Sequence, residues 1–132
     1  HPMGCAAAVA TLAEYKNLNI EENVAKVGKV LADIEDGYVD AHPCVGQVRH
    51  IGLFSAIELV KDKETREPLV PFGKDPNGYM KKIIGMLVAE GFWTYSHENM
   101  IIVAPPLIIT EDEIVENMKI MDKVLTEVDK WI

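Results

Sequence analysis

At Ala41-His42-Pro43 the hydrophobic period of this chain changes, and that change limits its architecture more than its composition does. Upstream, Ile20, Val24, Val27, Leu31, Ile34 and Tyr38 recur every three or four residues, while Glu21, Glu22, Lys26, Lys29, Asp33 and Glu35 fall on the complementary face. That spacing predicts a half-exposed amphipathic helix. Pro43 ends it, because the residue before a proline is pushed out of the helical region. Downstream, Val45, Val48, Ile51, Leu53, Phe54, Ile57, Leu59 and Val60 mix alternation with short apolar pairs around Gly52, which predicts two antiparallel strands meeting there.

The remaining segments extend this pattern. Gly4 to Leu18 carries Ala6, Ala7, Ala8, Ala10, Leu12 and Ala13, strong helix formers small enough for close packing, and is expected to be a buried helix with Pro2 at or before its first turn. Lys61 to Gly78 is charged and rich in breakers, and reads as a long surface loop. Tyr79 to Glu90 has helical spacing and is stopped by Gly91. Phe92 to Tyr95 and Met100 to Val103 read as short strands separated by a polar turn, Ser96 to Asn99. Thr110-Glu111-Asp112-Glu113 is a capping box opening a last helix, whose apolar face runs through Ile114, Met118, Met121, Leu125, Val128 and Ile132. The expected fold class is α+β: a small antiparallel-rich sheet with helices packed on one face, preceded by two N-terminal helices.

Composition narrows the function classes. Thirteen Lys and Arg stand against 21 Asp and Glu in 132 residues, a formal charge of −8. With only Arg49 and Arg66 as arginines and no basic run, the chain lacks the footprint of a nucleic-acid binder. Its apolar stretches, such as Met100 to Leu107, are far shorter than the roughly 20 residues of a membrane-spanning helix. A soluble, cytoplasmic protein with reduced Cys5 and Cys44 is expected. No metal is expected, since His42 and Cys44 lie two apart without a second ligand pair. A cysteine paired with His1, His42, His50 or His97 would be a nucleophile, whereas the alternative is a small buried thiol. Arg49 suits either a carboxylate ligand or a salt bridge on the sheet surface. Glu111, Asp112, Glu113 and Glu116 are explained by the helix start. These residues alone stop at an α+β domain without its own catalytic group, open to use as a free-standing small-molecule binding or regulatory domain, or as an oligomerisation unit built on the Ala-rich helix.

Four segments in order carry a resemblance. His1-Pro2-Met3-Gly4-Cys5-Ala6-Ala7-Ala8 is similar to a Gly-His-Pro-x-x-Cys-Ala-Ala helix start, Val45-Gly46-Gln47-Val48-Arg49-His50-Ile51-Gly52-Leu53 to a Val-Gly-x-Val-Arg-x-x-Gly-Leu strand, Phe54 to Val60 to its continuation, and Ala104-Pro105-Pro106-Leu107-Ile108-Ile109-Thr110 to an Ala-Pro-Pro-Leu-Ile-Ile-Thr segment before an acidic helix. Together they resemble the C-terminal part of class III aminotransferases, the ω-aminotransferase branch of the fold type I pyridoxal-phosphate enzymes. In that family an upstream large domain supplies the cofactor lysine, the acid facing the pyridine nitrogen and most phosphate contacts. None of these is matched here, and the chain opens at His1-Pro2 without an initiator Met.

The resemblance therefore implies a fragment. Residues 1–40 would be connecting helices from the large domain and 41–132 a small C-terminal domain. The piece alone would be inactive, hold no pyridoxal phosphate and expose apolar surface. The intact enzyme, a homodimer by resemblance, would transfer an amino group from an ω-amine to a 2-oxo acid. His1 would lie near the cofactor phosphate. Where carboxylate-binding relatives carry arginine, this chain has Ile102 and Tyr95. The run from Tyr95 to Val103 looks most like the taurine and β-alanine branch, with Tyr95, Ser96, His97 and Ile102 as substrate-binding candidates. The alternative is an exposed turn formed by Tyr95, Ser96 and His97, with Ile102 as core packing.

Overall fold

Two helices open the chain, and only the second is anchored. A computed structural model describes all 132 residues. Helix α1 (Pro2–Asn17) has no buried residue, contrary to the expectation of a buried helix. Its apolar side chains surround the axis instead of forming a stripe, and it leans chiefly on α2 (Ile20–Ala41), leaving Met3, Val9 and Leu12 exposed. Asn19, in the left-handed region at φ 49°, turns the chain between them. Helix α2 buries Ile20, Val27, Gly28, Leu31 and Tyr38. Glu35 corrects the sequence reading: it is fully buried, because it continues the Leu31 to Tyr38 stripe at spacings of four and three.

The hairpin forms as expected. Strands β1 (Val45–Ile51) and β2 (Phe54–Asp62) pair antiparallel, with Val48 opposite Ile57 and Ile51 opposite Phe54, and Gly52 turns at φ 57°. The loop after β2 is only partly a surface loop. A two-residue strand β3 (Glu67–Pro68) pairs with β2 and delivers Leu69 and Val70 into the core. The Leu69 N–H extends this attachment by donating to the Leu59 carbonyl at 3.0 Å.

Helix α3 (Tyr79–Ala89) is capped from outside, since the Asp75 carboxylate accepts from the Tyr79 and Met80 N–H groups at 2.8 and 3.0 Å. Strand β4 (Tyr95–His97) starts later than expected, with Ser96 and His97 inside it. Its partner β5 (Met100–Val103) pairs Met100 with His97, so the turn shrinks to Glu98-Asn99. Asn99 fixes that turn: its carbonyl accepts from the Leu59 N–H and its side-chain amide donates to the Leu59 carbonyl, both at 2.8 Å.

The sheet order is β1-β2-β5-β4, all antiparallel, and β3 is attached to β2. Helix α4 (Glu111–Val128) begins with the expected capping box: the Glu113 N–H donates to Thr110 Oγ1 at 3.3 Å, and the Thr110 N–H donates to Glu113 Oε2 at 2.9 Å. It ends at Val128, and a 3-10 turn (Asp129–Trp131) lays Trp131 on Tyr79 while Ile132 stays partly exposed.

Val27 and Leu31 of α2, Ile83 and Leu87 of α3, and Met118, Met121 and Leu125 of α4 meet Ile57, Leu59 and Ile101 on one face of the sheet. Burying each of these side chains contributes about 1.5–3 kcal/mol of transfer free energy. The fold is the expected one, helices against one face of a small antiparallel sheet. On the opposite face Phe54 and Tyr95 remain exposed.

Candidate functional site

Antiparallel partners project to the same side of a sheet, so the register decides which candidate residues meet. Two rows cross the open face. Arg49, Ala56, Ile102 and Tyr95 form one, and Gln47, Glu58, Met100 and His97 form the next. Tyr95 and His97, two apart on the edge strand β4, therefore share this face with Ile102. Tyr95 is 60% exposed and His97 is exposed, whereas Ile102, flanked by Ala56 and Tyr95, is only 7% exposed.

Arg49 lies across the rows. Its Nη2 is 3.0 Å from Glu58 Oε2 and 2.9 Å from Met100 Sδ, which places a guanidinium beside the residue paired with His97. Of the two roles open to Arg49, the salt bridge on the sheet surface is the one formed. Ser96 is separated from the group. It pairs with Ile101 and projects to the helix side, where it lines a shallow cleft of about 440 Å³ with Glu98, Lys74 and Lys81. His1 stands exposed at the N-cap of α1, which touches the rest of the chain chiefly through α2.

Sequence reasoning missed Glu58, Met100 and Gln47 as members of the open face. The period-two signal within β2 and β5 contains them, but only the pairing register brings them beside His97. A second concavity, about 280 Å³, lies on the helix side between Phe92, Thr94, Ala104, Pro105, Asn117 and Met118.

The cysteine and histidine candidates resolve differently. Cys44 is fully buried, its Sγ 3.7 Å from the Leu125 carbonyl, and burial together with the Asp129 carboxylate pushes its thiol up. It is a packed thiol rather than a nucleophile. His42 faces two carboxylates, with Nδ1 2.8 Å from Asp129 Oδ2 and Nε2 3.2 Å from Asp122 Oδ1. Asp129 also accepts from the Cys44 N–H at 3.0 Å, so this cluster fastens the end of α2 to the end of α4. No three His, Cys, Asp or Glu side chains gather as a metal site, and no helix is long and apolar enough to cross a membrane.

Comparison with known proteins adds the family. The family described as Aminotransferase class-III matches residues 1–125. A taurine–pyruvate aminotransferase of Bilophila wadsworthia is 34% identical over 128 residues, covering 96% of this chain and 28% of its own length. An ethanolamine-phosphate phospho-lyase homolog of Caenorhabditis elegans is 33% identical over 127 residues, covering 96% and 26%. The solved structure of taurine:2-oxoglutarate aminotransferase from Bifidobacterium kashiwanohense, in complex with pyridoxal phosphate and glutamate, superposes with a TM-score of 0.91 at 41% identity, covering 98% of this chain and 29% of that one.

The chain thus spans about a quarter of the length of the curated relatives it matches. Every lysine is exposed, and His1 is exposed on a helix with no buried residue. What the chain does possess is the fold, the motif order and the near full-length match of one group of enzymes, and it belongs to the class III aminotransferase family.

Proposed function

We propose that this chain is the C-terminal part of a pyridoxal-phosphate-dependent class III aminotransferase that moves an amino group from a small ω-amine to a 2-oxo acid. Residues 1–40 would be its connecting helices and 41–132 its small domain. The cofactor, held by the rest of the enzyme, would carry the amino group between the two substrates. A cytoplasmic homodimer is the assembly this reading adopts. The supporting observation is the match of residues 1–125 to the class III family, together with relatives of which this chain spans only about a quarter and a chain in which every lysine is exposed.

Within that reading, the open sheet face helps to shape the donor pocket. Taurine, for which two of the similar aminotransferases are named, carries an amine at one end and a tetrahedral oxyanion at the other. His97 and Tyr95 present an imidazole and a phenol to such a group, and Ile102 supplies an apolar wall. Ser96, on the helix side, takes no part, and His1 would approach the cofactor phosphate only once the remaining polypeptide is in place.

The test uses the longer enzyme carrying this sequence, assayed with taurine or β-alanine and pyruvate or 2-oxoglutarate. His97→Ala is expected to lower kcat/KM for taurine by roughly tenfold or more, in line with loss of one hydrogen bond to a charged group, while Ser96→Ala leaves it unchanged. Equal activity of both variants would remove the open face from the donor site. The chain alone, mixed with pyridoxal phosphate and freed of excess, is expected to retain no cofactor absorbance. The Caenorhabditis elegans relative favours a second reading, elimination of phosphate from a 2-aminoethyl phosphate. Release of inorganic phosphate without amino transfer would select it.

A further inference from the structure

Helix α2 buries an acid in a stripe that is otherwise apolar. Glu35 follows Leu31 by four residues and precedes Tyr38 by three, and it is fully enclosed. Its Oε1 accepts a hydrogen bond from Ser55 Oγ on β2 at 2.6 Å, and Ser55 is itself fully buried. Its Oε2 is buried without any hydrogen-bond partner. A carboxylate held by one neutral hydroxyl and one empty lone-pair side is a poor resting place for charge, because burying an ion needs a counter-charge or several donors.

The surrounding charges do not repair this. From β1, His50 faces the carboxyl, but its Nε2 is already 3.2 Å from Asp36 Oδ1. On α2 itself, Asp36 opposes ionisation, and the Tyr38 hydroxyl donates to the Met118 carbonyl at 2.6 Å. Ser55 is the group that β2 contributes. From α4, Asp122 is directed at His42 and adds negative charge near Tyr38.

We propose that Glu35 and Ser55 form a proton-operated latch between α2 and the sheet: the neutral carboxyl keeps the helix seated on β2, and loss of its proton loosens that seam. Burial pushes the Glu35 carboxyl up to about 7, against the opposing effects of the Ser55 hydrogen bond and His50. The folded state thus holds a proton that the unfolded chain releases near 4.5. Stability from this group is present below about 4.5 and is lost as pH rises through about 7. The seam also carries the close approach of Gly28 to Gly52, and Asn23 on the same helix donates to the Leu107 and Ile109 carbonyls at 2.8 and 3.0 Å. Loosening α2 would therefore release both the hairpin tip and the segment before α4.

The experiment follows the Glu35 carboxyl carbon by NMR in the 132-residue chain, together with hydrogen exchange of the Ser55 and α2 amides, corrected for intrinsic rates. The carboxyl is expected to titrate near 7, and amide protection to fall roughly 10²-fold between about pH 4 and about pH 8. In Glu35→Gln that fall should vanish. In Ser55→Ala the Glu35 midpoint should move upward, because a donor to the ionised form is gone. A carboxyl that titrates below about 5, a pH-dependent loss that persists in Glu35→Gln, or a midpoint unmoved by Ser55→Ala would each overturn the latch.

Discussion

Two glycines in one helix are expected to respond in opposite directions to the same substitution. Gly28 and Gly37 both lie within α2, where replacing glycine by alanine lowers the backbone entropy lost on folding and stabilises a helix by about 1 kcal/mol. At Gly37 a new methyl group meets nothing within 4 Å, so Gly37→Ala should gain roughly 0.5–1 kcal/mol. At Gly28 the methyl carbon would stand 2.7, 2.8 and 2.9 Å from the carbonyl carbon, oxygen and Cα of Gly52. These are backbone atoms and cannot rotate away. Ordinary contact begins near 3.4 Å, so the helix must retreat by about 0.7 Å from the hairpin. Overpacking of this kind costs about 1–3 kcal/mol. Set against the helix gain, Gly28→Ala should lose up to about 2 kcal/mol, a spread of roughly 1–3 kcal/mol between the two variants. Urea unfolding followed by the fluorescence of Trp131, which packs on Tyr79, measures both. If Gly28→Ala were as stabilising as Gly37→Ala, the direct seating of α2 on the Gly52 turn would be wrong.

Other perturbations separate surface from core. Thr110→Ala removes the hydroxyl that accepts from the Glu113 N–H and should cost about 1 kcal/mol in the same unfolding assay, whereas an unchanged midpoint would mean the capping box contributes nothing. A thiol reagent should modify Cys5 at once and Cys44 only on unfolding, since one is exposed on α1 and the other is enclosed with its thiol pushed up. Two fast-reacting thiols in the native chain would contradict the enclosure of Cys44.

Legibility from sequence depended on whether a signal was local. The capping box, the Gly52 hairpin and the end of α3 at Gly91 were readable because each depends on residues within a few positions of one another. Glu35 was misplaced by a rule that sends charge outward, although its spacing from Leu31 and Tyr38 put it on the buried stripe. The start of β4 was misread because His97 pairs with Met100 across a two-residue turn, a choice enforced by the hold of Asn99 on Leu59 in another strand. The open-face grouping of Tyr95, His97, Ile102, Arg49 and Met100 follows from register across four strands, and register is not written in any one segment.

Helix α1 makes the sharpest separation between composition and contact. Its alanines and scattered Met3, Val9 and Leu12 have the character of a helix wrapped by protein on several sides, yet in this chain every residue of it is exposed. An amphipathic helix such as α2 finds its place with one apolar surface, because one stripe needs one partner. A helix that is apolar around its whole circumference needs several, and the sheet here already has its helix-bearing face filled by α2, α3 and α4. The place that α2, α3 and α4 occupy on that face is therefore closed to α1. Its exposed apolar surface suits a further partner surface, and the proposed assignment to the C-terminal part of a longer enzyme would supply one.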